Sequence, residues 1–199
     1  RDEIVEYGKR DRLDLAKALE FDIVTVSAVP PKDYRPKPMK RIDESTYEQA
    51  NGDIYHVSSA TGDLRLWKKV ADDYVAPTVE SLQEKIDALE DEPLGHPDDE
   101  QWELVRHAVA EMGDTHFIML MSGDVAWPFF GATDEEQYMN LVLEPEICAK
   151  ISELQGKRLI RQIPLYAKLN VDGIMPCGDL GTSAGLMASP ELYRSMVYP

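Results

Sequence analysis

The residues of this chain best suited to chemistry lie in CGDLGTSAGLMASPE, where Cys177, Asp179, Thr182 and Ser183 stand among three glycines just past the strand-like run VDGIMP. A carboxylate at a strand end can anchor a polar ligand or work as an acid or base, and partial desolvation there shifts its pKa. The same Asp179 also suits an Asx turn or a satisfied loop carboxylate. Cys177 reads as a small hydrophobe, because no second Cys or His stands at ligand spacing from it. A second group, Ser122, Asp124 and Trp127, sits in SGDVAWPFFGA after the apolar run THFIMLM. Trp127, Phe129 and Phe130 around Pro128 either line the mouth of a pocket for a flat organic ligand or pack the loop onto its own core. The histidines offer no good general base: His116 stands at the N-terminal end of a strand, His107 on a helix, His56 in a hairpin and His96 in a loop before Pro97. The glycines spell neither a dinucleotide fingerprint nor a phosphate loop with its Lys, so no nucleotide is assigned.

The elements that position these residues follow from periodicity. Leu13, Ala16 and Leu19 recur at helical spacing in RDRLDLAKALE, and a buried strand follows from Ile23 to Val26. The prolines of PKDYRPKPMKR make that stretch a loop. DIYHVS and DLRLWKKV, joined by Ser-Ala-Thr-Gly, predict a small hairpin over about 53–69. Thr78 caps a helix with Val79, Leu82, Ile86 and Leu89 on one face. Asp98 with Gln101 has capping-box spacing for a second helix, which buries Trp102, Val105, Val109 and Met112 and stops at Gly113. THFIMLM has the form of a parallel strand covered on both faces. Thr133 with Glu136 caps a short helix, Pro145 opens a long one that Pro164 is expected to kink or interrupt, and Ser189 caps a last helix with Pro190 at its first position.

Strands separated by helices imply an α/β fold with a parallel sheet, in which function gathers at the C-terminal strand ends. Periodicity leaves open whether the sheet is flat or closes into a barrel. Three or four parallel strands are too few for the usual eight, so the chain reads as the first half of a longer protein.

Composition narrows the partners. With 37 Asp and Glu against 21 Lys and Arg, the formal charge is -16. Neither nucleic acid nor an anionic membrane surface is expected to bind so acidic a chain. No apolar run approaches the roughly 20 residues of a membrane span. The two cysteines form no disulfide framework and the first residues have no signal-peptide core, so the expected compartment is the cytoplasm.

The segment DGIMPCGDLGTSAGLMASPELYRSMVYP resembles the uroporphyrinogen decarboxylase superfamily, in which a strand ends in Asp-x-Gly-Thr, followed by Gly-Leu-x-x-Ser-Pro-Glu and a helix. Glu144-Pro145-Glu146 and LEFDIVTVSAV are similar to the same family. The resemblance implies a (β/α)8 barrel, with residues 1–199 as the N-terminal portion of a single domain carrying a β-hairpin insertion. It also implies one of two activities. True decarboxylases have an Asp at the first strand end, where this chain reads Val26-Ser27-Ala28-Val29. Their Gly-x-Pro-Trp-Thr segment is replaced by SGDVAWPFF and their Asp-Ser-x-Ala-Gly by GDLGTSAG.

These departures and the hairpin favour the cobalamin-dependent methyltransferases of O-demethylase-like systems. The expected activity is methyl transfer between a methylcorrinoid and a thiol or folate acceptor, with methylcobalamin or a corrinoid protein as donor. Zinc, which activates the thiol in some members of that branch, would be held by residues of the second half of the barrel. In this half the expected pocket wall is Ser122, Asp124, Trp127, Thr182 and Ser183, with Asp179 as the catalytic candidate. The alternatives are a uroporphyrinogen decarboxylase of porphyrin biosynthesis and a non-catalytic half-barrel that a second chain completes.

Overall fold

The computed structural model describes residues 1–35, 37–59, 62–68, 74–123, 125, 127–176, 178–182 and 185–197. The chain is mixed α/β. Its body alternates helix and strand: α1 (Asp2–Ala18), β1 (Ile23–Val26), α2 (Val79–Ala88), α3 (Glu103–Met112), β6 (Phe117–Met121), α4 (Asp134–Leu143), α5 (Pro145–Lys168), β7 (Gly173–Met175) and α6 (Pro190–Val197). Between β1 and α2 lie β2 (Met39–Arg41), β3 (Thr46–Gln49), β4 (Ile54–Val57) and β5 (Leu64–Lys68), and past β7 a minimal hairpin joins β8 (Gly181–Thr182) to β9 (Gly185–Leu186).

β1, β6 and β7 form a parallel sheet in that order, with Ile23 opposite Phe117 and Met119 opposite Gly173. Side chains alternate between the faces of a strand, so this register places Val24, Val26, Ile118 and Leu120 on one face. There they meet Leu13 and Ala16 of α1, Val105, Ala108 and Met112 of α3, and Leu165, Tyr166 and Leu169, the last just past α5. Ile118 and Leu120 are fully buried, each worth about 2 kcal/mol of transfer from water. The other face carries Ile23, Thr25, Phe117, Met119 and Met121. Ile23 and Phe117 remain 46% and 43% exposed. β6 is therefore covered by this chain on one face, not on both, because α1, α3 and α5 all pack on the same side. Among the described residues no strand pairs with the outer edges of β1 and β7, so the sheet is not a closed barrel.

Gly173 is fixed by this open face. A Cβ there would lie 2.9 Å from Cε1 of Phe117, so a side chain would displace the ring that rests across the sheet.

The insertion is larger than a hairpin. It is a four-stranded antiparallel sheet in the order β2-β3-β4-β5, beginning at Met39 within the stretch expected to be only loop. Asn51 and Gly52 turn β3 into β4, Gly52 having φ +89° and its N–H donating to Gln49 O at 2.9 Å. None of the three buried clusters of the chain takes a residue from 39–68 among the described residues.

The helix boundaries depart from expectation in two places. Asp98 does not cap; a 3-10 turn, Glu100–Trp102, precedes α3, and the side chain nearest to a capping role, Asp99, accepts from the His96 N–H at 2.7 Å. α5 runs unbroken through Pro164. Proline removes one backbone donor, and the carbonyl that loses it, on Ile160, belongs to a residue exposed to water. The other caps form. Thr78 and Ser81 make a reciprocal box, Thr133 Oγ1 accepts from Glu136 N at 3.2 Å, and Ser189 Oγ accepts from Leu192 N at 3.2 Å.

Candidate functional site

The C-terminal ends of β6 and β7 release two loops that are tied to each other. The Ser122 N–H donates to Met175 O at 3.1 Å, extending the β6–β7 ladder by one step. Farther out, the indole N–H of Trp127 donates to the Asp179 carbonyl at 2.6 Å. The Gln155 side-chain amide on α5 donates to the Trp127 carbonyl at 3.4 Å, and Asn140 of α4 donates to the Phe130 carbonyl at 2.9 Å. Both helices thus hold the loop that positions Asp179.

Trp127 and Phe130 are buried, together with Leu141, Cys148 and Met196. Trp127 stacks on Phe129 with ring centroids 5.5 Å apart and meets Tyr193 edge-on at 5.4 Å. Of the two roles open to these aromatics, the described residues display the second: the loop packs its own core. Trp127 positions the β7 loop and presents little surface to a ligand. Cys148 beneath it has its thiol pushed up to about 11 by burial and then by the nearby Glu144 carboxylate, which keeps it neutral and makes it a packing residue.

The surface above this core is formed by other residues. Asp179 and Leu180 are exposed, and Leu186 is 64% exposed on β9. The Met187 N–H donates to Leu180 O at 3.1 Å, closing the minimal hairpin in which Thr182 pairs with Gly185. The Ser122 hydroxyl is buried at the end of β6 with no hydrogen-bond partner among the described residues. A buried hydroxyl of this kind costs stability unless something supplies its bond. Asp124, Cys177 and Ser183 lie outside the described residues. Of the residues read from sequence, the structure brings Ser122, Trp127, Asp179 and Thr182 to the same end of the sheet.

Sequence reasoning missed the Trp127–Asp179 link and the exposed leucines of the hairpin. A signal for the hairpin was present in the paired glycines Gly181 and Gly185, four positions apart; nothing in the sequence marks the indole contact. Among the described residues, no group of three or more His, Cys, Asp or Glu could hold a metal ion, and no helix is long and apolar enough to cross a membrane. No family model, no curated protein and no solved structure matches the chain.

Proposed function

We propose that this chain forms part of the wall of a (β/α)8 barrel that moves methyl groups between a methylcorrinoid and a thiol or folate acceptor. The observation that carries the reading is the surface at the ends of β6 and β7. It combines an exposed carboxylate and two exposed leucines, with an unpartnered serine hydroxyl buried at the end of β6, and the segments SGDVAWPFFGA and GDLGTSAGLMASP contain no Lys or Arg. A polycarboxylate such as a uroporphyrinogen would need cations there to offset its charge. A corrin is apolar in its ring and rimmed by amide groups, which suits leucine contact and a carboxylate that accepts amide N–H bonds.

When bound, the corrinoid would supply an electrophilic methyl group to the lone pair of the acceptor. In this reading Asp179 orients the donor or takes the proton that a thiol acceptor loses. Ser122 keeps a buried, unpartnered hydroxyl at the end of β6, and Trp127 holds the β7 loop through the Asp179 carbonyl. Activation of the thiol by zinc would require ligands other than the described residues. The barrel is completed by strands that pair with the edges of β1 and β7, from further polypeptide or from a second chain.

Calorimetric titration of the chain with methylcobalamin and, separately, with uroporphyrin tests the reading. Methylcobalamin is expected to bind, and Asp179→Asn to weaken it about tenfold through loss of charge-assisted hydrogen bonds. Binding of uroporphyrin with none of methylcobalamin would replace the proposal with a decarboxylase.

A further inference from the structure

A second cleft lies outside the β6 and β7 loops, between α1, the segment that follows β1 and the start of α3. We propose that it binds a small organic carboxylate with an apolar body, at a site independent of the proposed methyl transfer.

Its volume is about 310 Å³, at the lower end of the range of small-molecule sites. Val5, Val29, Pro30 and Leu104 give it apolar walls, and Ser27 and Tyr34 also line it. Among the described residues, no acidic residue lines it. Arg1 and Arg12 do, each carrying a guanidinium group. That of Arg1 is already neutralised, donating to Asp2 at 2.7 Å and to Glu103 at 3.2 Å. That of Arg12 makes a single hydrogen bond, from Nη1 to the Thr25 carbonyl at 2.8 Å, and has no carboxylate partner among the described residues. Such a cation beside an apolar cavity is unusual in a chain whose net charge is -16. Its remaining donors form the planar fork that matches a carboxylate.

Gly8 is the second, independent sign. It stands in the interior of α1, where glycine is the least favourable residue after proline. No local constraint requires it: its φ is not positive, and a Cβ would meet only Leu104 Cδ2 at 3.9 Å, an ordinary contact. What its missing side chain does is keep the cleft open on the α1 side. A helix that accepts glycine where alanine would fit is explained if the space is used.

The test is a titration of the ¹⁵N-labelled chain with hexanoate and with the neutral hexanamide, followed at the amide signals of Gly8, Ser27 and Tyr34. Hexanoate should give saturable shifts at these positions, with hexanamide about tenfold weaker because the charge-assisted bond is lost. Arg12→Met should weaken hexanoate by a similar factor and leave hexanamide unchanged. Gly8→Leu should fill the cleft and abolish both while keeping or raising the melting temperature, since it improves helix propensity. The proposal is overturned by equal affinity for the two probes, by undiminished hexanoate binding in a folded Gly8→Leu chain, or by no saturation up to about 50 mM. None of these outcomes depends on whether methylcobalamin binds at the other site.

Discussion

The two faces of the parallel sheet have nearly the same sequence character and opposite surroundings. On one, Val24, Val26, Ile118 and Leu120 are sealed beneath helices; on the other, Ile23, Thr25, Phe117 and Met119 are open or half-open. An apolar residue on a strand therefore says that a face is suited to burial, not that the same chain buries it. The covered face holds this fold together. The open face is what the proposed barrel would turn inward.

Core substitutions give the sharpest contrast. Leu120→Ala should destabilise the chain by about 3 kcal/mol, since it leaves a cavity among packed side chains. Met119→Ala, one residue away on the open face, should cost less than about 1 kcal/mol. Urea unfolding of the two variants measures the difference, and equal losses would mean that both faces are covered.

The strand-end loops come next. Trp127→Phe keeps most of the ring packing and removes the indole donor from the Asp179 carbonyl, at an expected cost of about 1.5 kcal/mol. Exchange of the hairpin amides at Gly181 and Met187 should accelerate in step, and unaltered exchange would show that Trp127 does not hold the β7 loop.

On the covered side, Glu103 fastens α3 to α1 by accepting from Lys9 Nζ at 2.6 Å and from Arg1 at 3.2 Å. The Lys9 hydrogen bond is the main cause that holds its carboxyl below the ordinary value, with Arg1 adding to it. A carboxyl depressed in the folded state contributes stability above its unfolded pKa, about 4.3, and that contribution fades as pH falls through the folded value. Glu103→Gln should cost about 1 kcal/mol at pH 7 and almost nothing at the lowest pH where the chain still folds. A pH-independent difference would contradict the assignment.

The smallest effect is expected at Glu153, held down to about 2 by the Lys150 and Lys157 ammonium groups. Lys150 also donates to Gln83 at 2.6 Å and so ties α5 to α2. The pair is partly solvated, so Glu153→Gln should cost only about 0.5 kcal/mol at pH 7, less again in high salt. The sign is that of Glu103: the contribution is present above about pH 4.3 and is lost as pH falls towards 2.

Much of this architecture was legible in the residues. The strand from Ile23 to Val26, the caps at Thr78, Thr133 and Ser189, and the order of helices and parallel strands follow from local patterns whose physics is local. The errors have separate causes. Asp98 has capping-box spacing, but the neighbouring Asp99 takes the His96 N–H and a 3-10 turn leads into α3 instead. Pro164 breaks no helix, and Ile160, whose carbonyl loses its backbone donor, is a residue exposed to water. β3 was readable in principle, since Asn51-Gly52 is a strong hairpin signal that follows it directly. At the candidate site, Ser122, Trp127 and Asp179 were identified by their strand-end positions. The burial of Trp127 and its bond to a backbone carbonyl depend on α4, α5 and α6 meeting at one point, which no short stretch of sequence records.

The division between the two faces of the sheet is tested most directly by paired cysteines on β1. Thr25→Cys and Val26→Cys are close to isosteric, adjacent in sequence and on opposite faces. Alkylation by iodoacetamide, mapped by mass spectrometry, should label Cys at 25 at nearly the rate of a free thiol and leave Cys at 26 protected until the chain unfolds. Equal protection at both positions would contradict the account, because it would mean that the face opposite the helices is already covered.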